Sequence, residues 1–114
     1  MTECLFCKIA SGATPCERVD ETERVLAFRD IDPRAPTHVL LIPKQHVAES
    51  AADLGPDHGA LLGELFGLAA RIAEREGLGR GWRLVTNVGA DAGQSVFHLH
   101  VHLLGGRPLR WPPG

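Results

Sequence analysis

Val96-Phe97-His98-Leu99-His100-Val101-His102-Leu103-Leu104 is the stretch on which the fold turns. From Phe97 to Leu103 apolar and polar residues alternate, the period of a strand with two unlike faces. Leu99, Val101 and Leu103 enter a core on one side, and three imidazoles, half of the six in the chain, project from the other. Neighbouring imidazoles on a strand start about 6.6–7 Å apart and the outer two about 13 Å apart, so one metal ion takes two of them and never all three. The bland alternative is a solvated face that happens to be rich in histidine. Against it, a neutral imidazole near pH 7 is a nucleophile or base, and a charged one is an acid and anion binder. The preceding loop Val88–Ser95 (VGADAGQS) places Gly89, Gly93, Gln94 and Ser95 beside them. Small residues, free backbone N–H groups and a hydroxyl suit an anion such as phosphate.

Working outward, Trp82–Asn87 (WRLVTN) predicts the strand across that loop. Pro56–Glu76 is helical, with Leu61, Leu65, Leu68 and Ile72 spaced i, i+4, i+7 and i+11, Pro56 in the first turn and Gly77 at the C-cap. His58 in that first turn is expected on a solvated surface. His38–Ile42 (HVLLI), stopped by Pro43, has the unbroken apolarity of a central strand covered on both faces. Arg24–Arg29 (RVLAFR) reads as a strand with Val25, Ala27 and Arg29 on one face. Asp32–Pro36 is a loop, because its two prolines deny a ladder its donors. Leu5–Ala10 (LFCKIA) makes a short helix ended by Ser11-Gly12. Helix, strands, helix, strands is an α+β order with an antiparallel sheet.

With 114 residues, 44% of them apolar, the chain fills a single domain, 1–114, and builds one core without staples. Fourteen acids against twelve bases give a net charge of -2, which argues against a nucleic-acid coat or a polybasic membrane binder. The longest aliphatic run, Val39–Ile42, is far too short to cross a bilayer, and Met1–Ala10 has no basic run ahead of a long apolar stretch, so a cytoplasmic protein without membrane or nucleic-acid partners is expected. Cys4, Cys7 and Cys16 are an odd set that excludes a complete internal disulfide framework.

The run Gly93–Pro108 (GQSVFHLHVHLLGGRP) resembles the histidine triad (HIT) family, whose signature is His-X-His-X-His followed by two apolar residues. Gly93-Gln94-Ser95, Gly105-Gly106-Arg107 and the tail Trp111-Pro112-Pro113-Gly114 are similar to its Hint branch, the purine nucleoside phosphoramidate hydrolases. Leu5-Phe6 with Ile9, Phe28–Ile31, Ala35–His38 and Ile42–Lys44 carry the likeness along nearly the whole chain. The resemblance implies a HIT-like fold: a five-stranded antiparallel sheet, a long helix and a short N-terminal helix, in a homodimer whose sheet continues across the interface. It implies cleavage of the P–N bond of a purine nucleotide by nucleophilic His100, through a nucleotidyl-histidine intermediate that water opens to a nucleoside monophosphate. His102 and His38 would contact the phosphate, and Ser95 the phosphate or the departing amine. Gln94 and Asn87 would add contacts to phosphate and ribose, with backbone N–H groups near Ser95 and Val96 facing the developing charge. Asp30 would anchor the ribose, Phe6, Ile9, Phe28 and Ile31 would line the base, and Trp111 would reach the partner's site.

Each role has a plainer rival: His38 a strand-edge residue, Asp30 the cap of the Asp32-Pro33 turn, Asn87 a turn residue, the four apolar residues simple core, Trp111 a frayed terminus. Cys4 and Cys7 have zinc-knuckle spacing without a second CxxC, and packed free thiols are the alternative. The resemblance implies that His46 and His98 complete the set around a structural zinc, with no cofactor needed for the chemistry. Rival functions are a dinucleoside polyphosphate hydrolase, disfavoured by the Gly-Gly-Arg and Trp-Pro-Pro-Gly segments, and a nucleotide-binding adaptor with incidental turnover. A nucleotidyl transferase is disfavoured because its signature ends in glutamine where this chain has His102.

Overall fold

The computed structural model describes residues 4–114, and the α+β class with a five-stranded antiparallel sheet, a long helix and a short N-terminal helix is the one observed. Helix α1 (Leu5–Ser11) precedes strands β1 (Arg18–Glu21), β2 (Val25–Arg29) and β3 (Thr37–Pro43); helix α2 (Gly59–Arg75) then leads to β4 (Trp82–Val85) and β5 (Val101–Gly105). The sheet runs β1-β2-β3-β5-β4 with every neighbouring pair antiparallel. β3 and β5 are interior strands, and β3 is buried at every position, which accounts for its unbroken apolar run.

The helices are fixed by their ends. Cys4 Sγ accepts the Cys7 amide at 3.2 Å as the N-cap of α1, and Gly12 closes the helix at φ +87°, where a side chain would be strained. A 3-10 turn, Pro56–His58, leads into α2, and His58 Nδ1 accepts the Gly55 amide at 2.9 Å. His58 is therefore a half-buried capping group rather than the solvated surface residue expected. At the other end Gly77 donates to Glu74 and Leu78 to Ala73, a Schellman pair that explains the glycine.

α2 lays Leu65, Leu68 and Ile72 on the face of the sheet that carries Val25, Val39, Leu41, Val101 and Leu103. Each such side chain contributes about 1.5–3 kcal/mol by leaving water. A carboxylate on α2 and another at its C-cap lock its placement. Glu64 accepts from the Thr22 hydroxyl and the Arg24 amide, and Glu76 takes the Arg29 guanidinium fork at 2.9 Å on both oxygens, with Thr37 adding a third donor at 3.2 Å. α1 covers the opposite face, where Phe6 and Ile9 pack on Leu26, Phe28, Leu40 and Ile42. No helix among the described residues is long and apolar enough to cross a membrane.

The main departures from expectation lie in the sheet. The strand predicted over Val96–Leu104 begins only at Val101, because upstream backbone groups are bound outside the sheet: the Leu99 amide on Ala48 O at 2.9 Å and the His100 carbonyl on Thr86 Oγ1 at 2.7 Å. β4 ends at Val85, since Thr86 has turned to make that bond. The edge strand β1 escaped the residue reading because RVDE has one apolar residue and no buried one.

Candidate functional site

The α1 face of the sheet holds the histidines. Along β5 and the extended segment that leads into it the residues still alternate, so Leu99, Val101 and Leu103 are buried in apolar surroundings while His98, His100 and His102 share the other side. His98 and His100 nonetheless lie beneath Phe6 of α1, whose ring meets them edge-to-face with centroids at 6.0 and 5.0 Å. His98 is wholly buried and His100 is 7% exposed. His38 on β3 is register partner to Leu104, which makes His102 its diagonal neighbour across the strand pair. His38 Nε2 and His102 Nδ1 lie 2.9 Å apart, and the His100 and His102 ring centroids 5.2 Å, closer than the strand rise alone would set them.

Backbone groups assign the proton of each ring, because an amide can only donate and a carbonyl only accept. His100 Nδ1 lies 2.8 Å from the His98 carbonyl, so it carries the hydrogen and Nε2 carries the lone pair. Every buried side-chain nitrogen and oxygen among the described residues has a partner, and His100 Nε2 has none, so it is the atom of that ring that meets solvent. The Arg34 amide donates to His38 Nδ1 at 3.0 Å, which puts the His38 proton on Nε2; that proton points at His102 Nδ1, leaving the His102 hydrogen on Nε2. A lone pair at position 100 and an N–H donor at position 102 therefore stand side by side. Burial lowers the His38 pKa, and burial with the charges of His100 and His38 pushes His102 down to about 4, so His102 donates as a neutral ring.

Asp30 caps the turn, the plainer of the two readings made of it, and also approaches His38. Its Oδ1 accepts the Asp32 amide at 2.8 Å as a turn cap, and its Oδ2 sits 3.4 Å from His38 Nε2. Asp30, His38 and His102 form a close trio, but a cation there would have to displace the proton that the Arg34 amide fixes on His38 Nε2. Asp30 and His38 open onto a hollow of about 420 Å³ shared with Arg29, Pro33, Pro36 and Glu76. Phe6, Ile9 and Phe28 are buried in the α1 cluster, as plain core would be, whereas Ile31 is 100% exposed. Gln94 has a scaffolding task instead of a free amide: Oε1 accepts from the Gly89 amide at 2.9 Å, and Nε2 donates to Glu49 O and Val96 O. Ser95 is exposed, Asn87 and Val96 are half-buried, and Trp111 is 82% exposed. The residue reading missed Thr86, which holds the His100 main chain, and the Pro43 carbonyl and Arg34 amide, which orient the rings of His98 and His38. The two backbone contributions have no side-chain signal to find.

Behind His100, Cys4, Cys7, His46 and His98 bring one donor atom each within 4.8 Å of one another. His98 Nδ1 lies 3.2 Å from Cys4 Sγ and 3.5 Å from Cys7 Sγ, and His46 Nδ1 lies 3.6 Å from Cys7 Sγ. A tetrahedral zinc with bonds near 2.3 and 2.05 Å has S···N edges of about 3.6 Å. The donors fit such an ion. Pro43 O fixes the His98 hydrogen on Nε2 at 2.8 Å and turns the Nδ1 lone pair to the thiols, the outer-shell arrangement of a metal-bound histidine. Burial and the adjacent Cys4 thiol push the Cys7 thiol up to about 11, a cost that a divalent cation removes.

Residues 11–109 match the model of the HIT domain. The chain is 49% identical over 111 residues to the "14 kDa zinc-binding protein" of Zea mays, covering 96% of this chain and 87% of that one. It is 46% identical over 111 residues to "Adenylylsulfatase HINT1" of Arabidopsis thaliana, covering 96% and 76% respectively. A HIT family hydrolase of Legionella pneumophila superposes with a TM-score of 0.94 at 51% identity, covering 98% of this chain and all of that one. The chain belongs to the HIT family.

Proposed function

We propose that the chain is a nucleotide hydrolase of the Hint branch that cleaves purine nucleoside phosphoramidates at the α-phosphorus. The observation that carries this reading is the fixed pair of protons, with a solvent-facing lone pair on His100 Nε2 beside the N–H of His102 Nε2. His100 Nε2 forms a bond to phosphorus as the P–N bond breaks, and its electron pair leaves on the amine, which gains a proton from water relayed through the Ser95 hydroxyl. His102 Nε2–H donates to a non-bridging oxygen, and backbone N–H groups near Ser95 and Val96 share the charge. The nucleotidyl ring still holds its Nδ1–H against the His98 carbonyl, so the intermediate is a nucleotidyl imidazolium, a good leaving group stabilised by that carbonyl. Water then adds to phosphorus, releases a proton, and returns the electron pair to Nε2, giving amine and nucleoside monophosphate.

Asp30, with a partly exposed carboxylate, holds His38 and receives the ribose. Phe28, Ile9 and Phe6 form the floor beneath the base, with Ile31 closing on it and Asn87 and Gln94 shaping the phosphate loop. Cys4, Cys7, His46 and His98 would hold a structural zinc that ties α1 to the histidine segment, and four protein donors would leave it no position for a reactive water. A homodimer that extends the sheet brings Trp111 towards the partner's site. The functional unit is the one domain 1–114, acting in the cytoplasm.

The name of the Arabidopsis relative favours a second substrate with the same α-phosphorus and a sulfate leaving group. Steady-state hydrolysis of tryptamine adenosine phosphoramidate, adenylyl sulfate and diadenosine polyphosphates separates the readings. Highest kcat/KM on the phosphoramidate is expected. Preference for a polyphosphate, or nucleotide binding without turnover, would overturn the assignment.

A further inference from the structure

The amide that fixes the His38 proton belongs to Arg34, on a loop whose residues 31–34 are all exposed. Almost no apolar burial holds that amide in place. The Arg34 carbonyl, however, receives two donors from Arg107, Nη2 at 2.9 Å and Nε at 3.2 Å, across 73 residues of sequence. Arg107 Nη1 is tied back to Pro108 O at 2.9 Å, which fixes the plane of the guanidinium. Beside it Gly106 lies at φ +94°, and a Cβ there would stand 2.9 Å from Pro36 Cβ, so the chain leaving β5 packs directly on the far end of the same loop.

We infer that Arg107, with Gly106 as its close-packed neighbour, is a positioning residue that sets the protons of His38 and His102 by clamping the Arg34 peptide. The two peptide units that flank Arg34 Cα divide the work: the Arg34 carbonyl is gripped from outside by Arg107, while the Arg34 N–H one bond away from Cα points inward at His38 Nδ1. Because His38 Nε2–H in turn determines which nitrogen of His102 carries hydrogen, an exposed arginine governs whether the site presents a donor or an acceptor to phosphate oxygen. Without the clamp the loop is left with the Asp30 cap on the Asp32 amide and the exposed Arg34–Asp32 ion pair, so the Arg34 amide can withdraw, His38 can carry its proton on Nδ1, and His102 then turns its lone pair outward.

This inference rests on the catalytic reading for its kinetic arm alone. Ring-nitrogen correlation spectra of uniformly 15N-labelled protein report the His38 and His102 tautomers directly, whatever the substrate. Wild type is expected to show His38 and His102 both protonated on Nε2 near neutral pH. Arg107→Ala is expected to give mixed tautomers at both rings, and about a tenfold lower kcat on tryptamine adenosine phosphoramidate at nearly unchanged KM, the worth of one well-made hydrogen bond. Arg107→Lys restores one donor and part of the effect. Gly106→Ala disturbs the same loop by a separate route and is expected to mix the same tautomers. Arg83, which binds Leu109 and Arg110 carbonyls further along the tail, leaves both tautomers unchanged when replaced by alanine. Unchanged ring-nitrogen spectra in both Arg107→Ala and Gly106→Ala would overturn the inference, even with kcat reduced. Absence of any turnover in wild type would count against the hydrolase reading and leave the tautomer result standing.

Discussion

With the proposed zinc on Cys4, Cys7, His46 and His98, stripping the metal should cost this protein a large part of its thermal stability, and the structure sets the scale. The four donors already stand at 3.2–3.6 Å along their measured edges, so binding demands little rearrangement of the folded chain. α1 otherwise rests on a small apolar cluster. An ion bound only by the folded state and supplied at a thousand times its dissociation constant adds about 4 kcal/mol. For 114 residues the entropy of unfolding is roughly 0.24 kcal/mol/K, so the Tm should fall by about 17 °C when a strong chelator strips the metal. Residual binding of zinc by the unfolded Cys4–Cys7 pair makes this an upper figure. Cys4→Ser is the informative variant, because serine still caps α1 while one thiolate is lost. Circular dichroism melts with matched metal analysis should show a chelator-induced drop in wild type, and Cys4→Ser melting near the stripped wild type with no chelator response. Wild type purified in excess zinc that retains less than a tenth of an equivalent and melts identically with chelator would refute the reasoning.

Other outcomes follow from the same geometry. His100→Ala should abolish turnover while nucleoside monophosphate still binds with an affinity near wild type, as read by calorimetry. The folded pKa of His102, about 4, lies below its ordinary 6.5, so the ring contributes nothing to stability above pH 6.5 and costs progressively more as pH falls towards 4, where only the unfolded chain takes up the proton. Urea unfolding of wild type and His102→Gln should therefore diverge, wild type losing more, between pH 6.5 and 4; parallel curves would remove the effect. Gly105→Ala should destabilise by about 1–3 kcal/mol in the same assay, because its Cβ would stand 2.7 Å from Cδ1 and 3.2 Å from Cγ of buried Leu78.

The architecture was legible where periodicity and packing agree. The i, i+4, i+7, i+11 spacing in α2 and the unbroken apolar run of β3 read directly as the helix and central strand they are, because burial on one or both faces leaves a compositional mark. β1 left none, since an exposed edge is held by ladder hydrogen bonds that no side chain announces. The alternation around His98–His102 correctly placed the three rings on one side, yet it could not show that the strand starts at Val101, because the departure upstream depends on Ala48 and Thr86, distant in sequence. The candidate site was legible as a set of residue types and opaque as a set of protons. Which nitrogen carries hydrogen at His38, His98 and His100 is decided by the Arg34 amide and by the carbonyls of Pro43 and His98, groups common to every sequence. Gln94 shows the converse: a polar side chain beside a presumed anion site that folding commits to the loop itself.

The claim on which the rest depends is that His100 Nε2 attacks phosphorus. Wild-type protein mixed with tryptamine adenosine phosphoramidate, quenched within the first turnover and digested under conditions that preserve P–N bonds, should yield one adenylylated peptide, with the adenylyl group on His100. Full first-turnover product release with no covalent adduct, or an adduct on Ser95 or another histidine, would contradict the account.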